Sequence, residues 1–259
     1  MSDACRQIRR VIVEASSASG HGHIPSCFSV VECLYAIYSV MRHDPNRPDW
    51  PERDLFVLSK GHASLGLYSV LSHLGYISAD DLRGFGSAPS KLGCHPHHPK
   101  VPGVEASTGS LGHGIGIAVG MAMAQKMRSS GRGVYTLVGD GEANEGSVWE
   151  AVMVACNLAL DTLTIVYDNN QSQGRSLQIR NPAAIFAAHG CEVHEVDGHD
   201  VDALRAALLQ PQTTVKVIVA NTRKGHGAAT LTDYFAWHRR SPGPDELRAI
   251  LEEIDAATV

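Results

Sequence analysis

What the chain lacks narrows its function first. No apolar run is long enough to cross a bilayer, and the N-terminus carries no charged-then-apolar leader. The expectation is a cytoplasmic protein that works away from membranes. Its six cysteines, Cys5, Cys27, Cys33, Cys94, Cys156 and Cys191, never form a Cys-x-x-Cys. That argues against a zinc ribbon or a dithiol redox motif and leaves reduced thiols as the default. Positive charge is scarce: 22 Lys and Arg stand against 27 Asp and Glu, a net charge of −5, which speaks against a general nucleic-acid binder. Internal repeats are absent, and so is any linker that would split the chain. With 259 residues, 44% of them hydrophobic, residues 1–259 are expected to form a single α/β domain with a core of its own.

What is present centres on Val134 to Asn170. Val134-Tyr135-Thr136-Leu137-Val138 is an apolar run of strand length, and Gly139-Asp140-Gly141-Glu142 is a turn with acid between glycines. Glu145 to Leu158 has helical spacing; Leu163 to Tyr167 is a second buried strand, closed by Asp168-Asn169-Asn170. Strand, helix and strand in so short a span read as one βαβ unit with a parallel crossover. Parallel strands end on the same edge of a sheet, so Asp140 and Asn170 are predicted to emerge together, where open α/β sheets bind ligands. A carboxylate and an amide oxygen suit Mg²⁺, and Gly141 lets a phosphate approach backbone N–H groups. The predicted ligand is a metal-bridged diphosphate. Gly-Asp-Gly alone is a common turn; the Asn-Asn at the end of the next strand gives it meaning.

The flanks continue the α/β pattern. Helices are predicted over 4–18, 28–40, 63–74, 114–128, 181–189, 201–209 and 245–256, and further strands over 54–58, 192–196 and 215–220. The sum is a doubly wound, mostly parallel sheet flanked by helices, with 1–53 and 222–259 wrapped around it. Residues 84–113 and 222–240 read as long loops; the first is rich in Gly, Pro and His and low in charge, which marks it as functional.

Several motifs carry a family resemblance along nearly the whole chain. They are Gly22-His23, Leu58-Ser59-Lys60-Gly61-His62, His95-Pro96, the run from Gly103 to Gly114, Gly139-Asp140-Gly141-Glu142, Glu145-Gly146, Asp168 to Asn170, and Asp197-Gly198-His199-Asp200. With these the chain resembles the thiamine-diphosphate-binding N-terminal domain of transketolase, in the form found where transketolase is split into two chains. The resemblance implies metal ligation by Asp140, Asn170 and the Ser172 carbonyl. It implies cofactor contacts from His62, Gly109, Ser110, Leu111, Asp140, Gly141, Glu142 and Asn170. It implies a catalytic set of His23, His62, His95 and His238, with His23, His95 and His238 trading protons with sugar hydroxyls, work suited to imidazoles that titrate near neutrality. Departures are visible as well. Gln171 and Ser172 stand where the family commonly has glycine and a branched apolar residue, and Arg239 stands where glycine usually follows the histidine equated with His238.

The resemblance also implies what must come from elsewhere. The glutamate that activates the cofactor belongs to a pyrimidine-binding domain, and no second doubly wound unit is seen in this chain. The expectation is a transferase of aldehyde or ketone residues. With a separate C-terminal subunit, as a heterotetramer containing a second copy of itself, it would move a two-carbon ketol unit between sugar phosphates. The alternatives are another thiamine-dependent carboligase, either deoxyxylulose-phosphate synthase-like or acting on 2-oxoacids, and a non-catalytic cofactor-binding subunit. An NAD-binding role is weaker, since no strand leads into Gly112-x-Gly114. His97, His98, His189, His194 and His199 read as surface or structural, and His95-His97-His98 lacks an acidic or cysteine partner for a metal.

Overall fold

Period-2 alternation on four of five strands divides the protein into two cores. In the computed structural model, which describes residues 1–174 and 177–257 with the side chains of Tyr234 and Phe235 left aside, the strands are β1 (Leu55–Leu58), β2 (Val134–Gly139), β3 (Leu163–Asn169), β4 (Glu192–Asp197) and β5 (Lys216–Asn221). All pair in parallel, in the order β1-β2-β3-β5-β4. Phe56, Leu58, Leu137, Val166 and Ile218 face one core; Leu55, Val57, Val134, Val138, Ile165, Tyr167, Val217 and Val219 face the other. Burial on both faces is why these strands read as nearly continuous apolar runs. The edge strand β4 is only half-buried and correspondingly polar.

Eleven helices are described: α1 (Asp3–Ser19), α2 (Ile24–Phe28), α3 (Val31–Val40), α4 (Ser64–His73), α5 (Ala79–Arg83), α6 (Gly114–Arg128), α7 (Gly146–Asn157), α8 (Pro182–Ala188), α9 (Val201–Leu209), α10 (Tyr234–Trp237) and α11 (Pro244–Ala256). From β1 to β4 the chain steps in one direction across the sheet, and α6, α7 and α8 lie on one face. The last step, β4 to β5, reverses direction, so the right-handed crossover rule sends α9 to the opposite face, beside α3. The termini do wrap that face. α1 packs on α4 and α11, and Arg10 clasps Asp255 at 2.6–2.7 Å. Among the described residues no helix is long and apolar enough to cross a membrane.

Three points differ from the sequence reading. The helix expected over 28–40 begins only at Val31, and residues just before it form a separate short helix: α2 carries Pro25 in its first turn, and the chain bends at Ser29, whose hydroxyl turns inward to Asp168 at 2.9 Å. Two short helices are additional. α5 forms where the sequence predicts no element and is secured by the Ser78–Asp81 capping box, and α10 lies within the loop predicted over 222–240. A 3₁₀ turn, Glu142–Asn144, comes between Gly141 and α7, so the long helix does not start at Gly141.

Candidate functional site

The β2–β3 register sets the site. Gly139 pairs with Asp168, and the Asp140 N–H donates to the Asp168 carbonyl at 3.2 Å, so Asp140 and Asn170 leave adjacent strands at the same edge. Both are 7% exposed. Ser172 ties them together: its hydroxyl donates to Asp140 Oδ1 at 2.8 Å, and its N–H donates to Asn170 Oδ1 at 3.0 Å. The Gly141 N–H adds a bond to Asp140 Oδ1 at 2.7 Å. Gln171, between them, holds a left-handed φ of 58°, a conformation that favours glycine and carries about 1 kcal/mol of strain in other residues.

A buried hub orients Asn170. Asp168, fully buried, accepts from Lys60 Nζ at 2.5 Å, Asn170 Nδ2 at 2.7 Å, Ser29 Oγ at 2.9 Å and the Thr222 hydroxyl. Burial works to raise the Asp168 carboxyl, but Lys60 and these bonds outweigh it and hold it low. Because the amide N–H₂ is committed to Asp168, the Asn170 oxygen turns toward Ser172 and the Asp140 side. The Asp140 carboxyl, by contrast, is pushed up by burial and by the neighbouring Asp168 charge.

Glu142 organises the loops around this pair. Its carboxylate accepts from the Ser59 hydroxyl at 2.5 Å and from the N–H groups of Gly112 at 3.0 Å and Gly139 at 3.1 Å. One buried side chain thus joins the exits of β1 and β2 to the loop that leads into α6. That loop also lies directly on Gly61, where a Cβ would come within 2.8 Å of the Gly109 nitrogen, so only glycine fits.

Above the Asp140–Asn170 pair, four imidazoles converge. His23 comes from the break between α1 and α2, His62 from the 3₁₀ turn after β1, His95 from the long loop, and His238 from just beyond α10. The His23 ring lies 5.4 Å from His62 and 5.3 Å from His238, edge to face in both cases. His95 packs over Gly109, where a Cβ would meet its ring at 3.2 Å. Among the described residues none of the four rings makes a hydrogen bond. Burial favours the neutral form of each. Burial, then Lys60 and His23, takes His62 down to about 2. Burial, then His238 and Arg239, takes His23 to about 4. Burial also lowers His95 and His238, aided by Arg239 at both and by Lys224 at His238.

One cavity of about 320 Å³ gathers these groups. It is lined by all four histidines and by Gly109, Leu111, Asp140, Gly141, Glu142, Asn170 and Ser172. Ser110 is exposed beside it and does not line it. Glu142 lines the cavity with its oxygens already committed to the bonds above. Ser26, Lys60, Gln173, Lys224 and Arg239 also line it, and the sequence alone points to none of these as site residues. Lys224 and Arg239 follow β5, and a strand that ends on the same edge is the signal that could have found them.

The donor set suits a hard divalent cation. It offers a carboxylate, an amide oxygen and the oxygens of Ser172, and the Asp140 charge is disfavoured by burial beside Asp168 until a cation answers it. Among the described residues no three His, Cys, Asp or Glu side chains are grouped to hold a metal, which leaves this oxygen set as the candidate.

Similarities to known proteins point to one family. The sequence profile described as transketolase, thiamine diphosphate binding domain, matches residues 1–255. The chain is 40% identical over 259 residues to an apulose-4-phosphate transketolase subunit of Actinobacillus succinogenes, spanning 96% of this chain and 94% of that one. It is 35% identical over 257 residues to the 6-deoxy-6-sulfo-D-fructose transketolase subunit SqwG of a Clostridium strain, again spanning 96% and 94%. The solved transketolase of Leishmania mexicana superposes with a TM-score of 0.89 at 29% identity, over 97% of this chain and 41% of that one. The chain therefore spans about two fifths of the length of the solved transketolases it matches.

Proposed function

The chain belongs to the transketolase family, through its thiamine-diphosphate-binding domain, and from that premise we propose that it is the cofactor-holding subunit of a two-chain transketolase. Its relatives support a transferase role. In this reading residues 1–259 form one diphosphate-binding domain, and a separate subunit supplies the pyrimidine-binding domain with its activating glutamate. The active form is a heterotetramer that moves a two-carbon ketol unit from a ketose phosphate to an aldose phosphate. Support for a partner comes from relatives of matching length whose names call them subunits.

The observation that carries the reading is one cavity holding both halves of the required chemistry. At its floor, Asp140, Asn170 and Ser172 would hold Mg²⁺, and Gly141 would approach the diphosphate. Gly109 and Leu111, with Ser110 beside them, would flank the aminopyrimidine side; His62 would meet the phosphate end. Thiamine diphosphate, when bound, supplies the carbanion chemistry at the carbon that is transferred. The protein's part is placement and proton transfer. Burial leaves these imidazoles unprotonated but weaker bases than the near-neutral rings the sequence suggests; in this reading a ring nitrogen of His23, His95 or His238 takes the proton of a sugar hydroxyl as the C–C bond breaks and returns it in the reverse sense. Their lack of hydrogen bonds to described residues leaves those nitrogens available to a ligand.

Calorimetric titration tests the floor of the site. Thiamine diphosphate is expected to bind only with Mg²⁺, and Asp140→Asn is expected to weaken it by more than the ~100-fold typical of losing a group behind a metal ligand. The variant's thermal midpoint should hold or rise, because the charge it removes is disfavoured by its surroundings. No cofactor binding by the wild-type chain, alone or with its partner subunit, would end the proposal. Full ketol transfer by the chain alone would end only the requirement for a partner.

A further inference from the structure

The turn after α10 carries two consecutive arginines with different fates. Arg240 is fixed: its guanidinium stacks 4.3 Å above the Trp237 ring and pairs with Glu246, and Trp237 itself is buried. Arg239 makes no hydrogen bond or ion pair among the described residues, yet it lines the cavity. The other charged lining residues differ. Lys60 is held by Asp168, Asp140 by Ser172 and Gly141, and Glu142 by Ser59 and two N–H groups; Lys224 has a partner too. The anchored residues belong to the metal and diphosphate end. Arg239 stands at the histidine end, close enough for its charge to lower His23, His95 and His238 in addition to the effect of burial.

An unengaged guanidinium beside groups suited to sugar hydroxyls has a definite complement. Its planar fork matches a tetrahedral or carboxylate oxyanion, which it grips by two parallel N–H bonds, and its charge does not titrate in the working range. We propose that Arg239 is a specificity-determining residue that receives an anionic group carried by the sugar substrate while the histidines address its hydroxyls. This rests on the reading of the cavity as a ketose and aldose site. It goes further by naming the residue of this chain that selects charged sugars over neutral ones. The anchoring of Arg240 on Trp237 and Glu246 gives the turn a fixed base from which Arg239 can swing to its ligand.

Saturation-transfer NMR on the enzyme assembled with its partner subunit and loaded with thiamine diphosphate and Mg²⁺ decides it, with ribose 5-phosphate, ribose and inorganic phosphate as probes. The wild type is expected to prefer ribose 5-phosphate to ribose. Arg239→Gln should cut that preference about tenfold or more, the usual consequence of losing a charge-assisted hydrogen bond. Arg239→Lys should restore part of it, and the thermal midpoint should not move. No preference for the phosphorylated sugar in the wild type, or an undiminished one in Arg239→Gln, overturns the proposal. Inorganic phosphate binding as tightly as ribose 5-phosphate overturns it as well, since the site would then take a free anion. Weaker cofactor binding in Arg239→Gln would move the residue to the cofactor site and overturn it too. Failure of the underlying reading shows separately, as an assembled wild-type enzyme that cannot be loaded at all.

Discussion

Two groups of histidines lie at the same end of the sheet, and their bonding sets them apart. His199 is fully committed. Its Nδ1 meets Glu32 at 3.1 Å, its Nε2 accepts the Arg223 N–H at 2.8 Å, and its ring stacks on His226 with centroids 3.6 Å apart. Those bonds assign the tautomer, with the proton on Nδ1. His23, His62 and His238 touch one another only by ring edges. His199, with the His226 ring stacked on it, is a framework device. With the Gly225 N–H on the Pro25 carbonyl at 3.1 Å and Arg9 Nε on the His226 carbonyl at 2.9 Å, it fastens the segment that carries Lys224 to the cavity. Gly225 adopts a φ of 79° there, and a Cβ would come within 2.3 Å of the Leu231 carbonyl. The lesson is that burial alone does not mark a working imidazole. What marks it is a ring with uncommitted nitrogens that lines the cavity of Asp140 and Asn170, as His226 does not.

Removing a ring from each group should give opposite results. His23→Ala is expected to lower ketol transfer by the assembled enzyme by about 10²–10⁴-fold, the range for losing a general acid–base, with little change in thermal midpoint. His199→Ala should do the reverse, lowering the midpoint while the correctly folded fraction keeps its turnover. Steady-state kinetics beside thermal unfolding reads both; equal kinetic losses would erase the distinction drawn here.

The framework side can be broken harder through its acid. Burial works to raise Glu32, but the Arg9 charge and the His199 bond prevail and hold it down to about 2. Arg9 is 0% exposed and contacts Glu32 at 2.5 and 2.7 Å. Glu32→Ala would leave that guanidinium buried without its acid, which is expected to destabilise the fold by about 3–5 kcal/mol in denaturant unfolding. A loss under about 1 kcal/mol, the scale of an exposed pair, would mean that the network does not fasten the loop.

The same contrast explains what could be read from the sequence. The β2–α7–β3 unit was legible from its apolar strands and helical spacing and α6 from its run of small residues, and the meeting of Asp140 with Asn170 follows from parallel pairing alone. The convergence of His23, His62, His95 and His238 followed from the family resemblance, since no local period joins four separate loops. Other features depend on tertiary bonds and left little trace. The split between α2 and α3 reflects Ser29 reaching Asp168, and the 3₁₀ turn after Gly141 reflects Glu142 folding inward. The Asp168–Lys60 hub was visible as residue types but not as a pair, because only the fold brings the exits of β1 and β3 together. Lys224 and Arg239 lie in a segment with no periodicity at all.

Acid unfolding offers the finest probe of the comparison. His23 and His226 are held down to about 4 and His62 to about 2, in each case chiefly by burial, while unfolded histidines titrate near 6.5. As pH falls below 6.5 the unfolded chain takes up protons that these folded rings refuse, so stability must fall with pH. The fall slackens near pH 4, where His23 and His226 begin to protonate in the folded state, and Glu32 adds its own loss from about 4.5 downward. Each ring that stays neutral contributes at most about 1.4 kcal/mol per pH unit, and a partly exposed ring less. His23→Ala and His226→Ala should each flatten the slope between pH 6 and 4 by a similar small amount, measured by urea unfolding across that range. The sign is the same for both groups, since burial acts on working and framework rings alike. A slope that His23→Ala leaves untouched would mean that its ring already accepts a proton in the folded chain, and the availability argued for the cavity histidines would then rest on His62, His95 and His238.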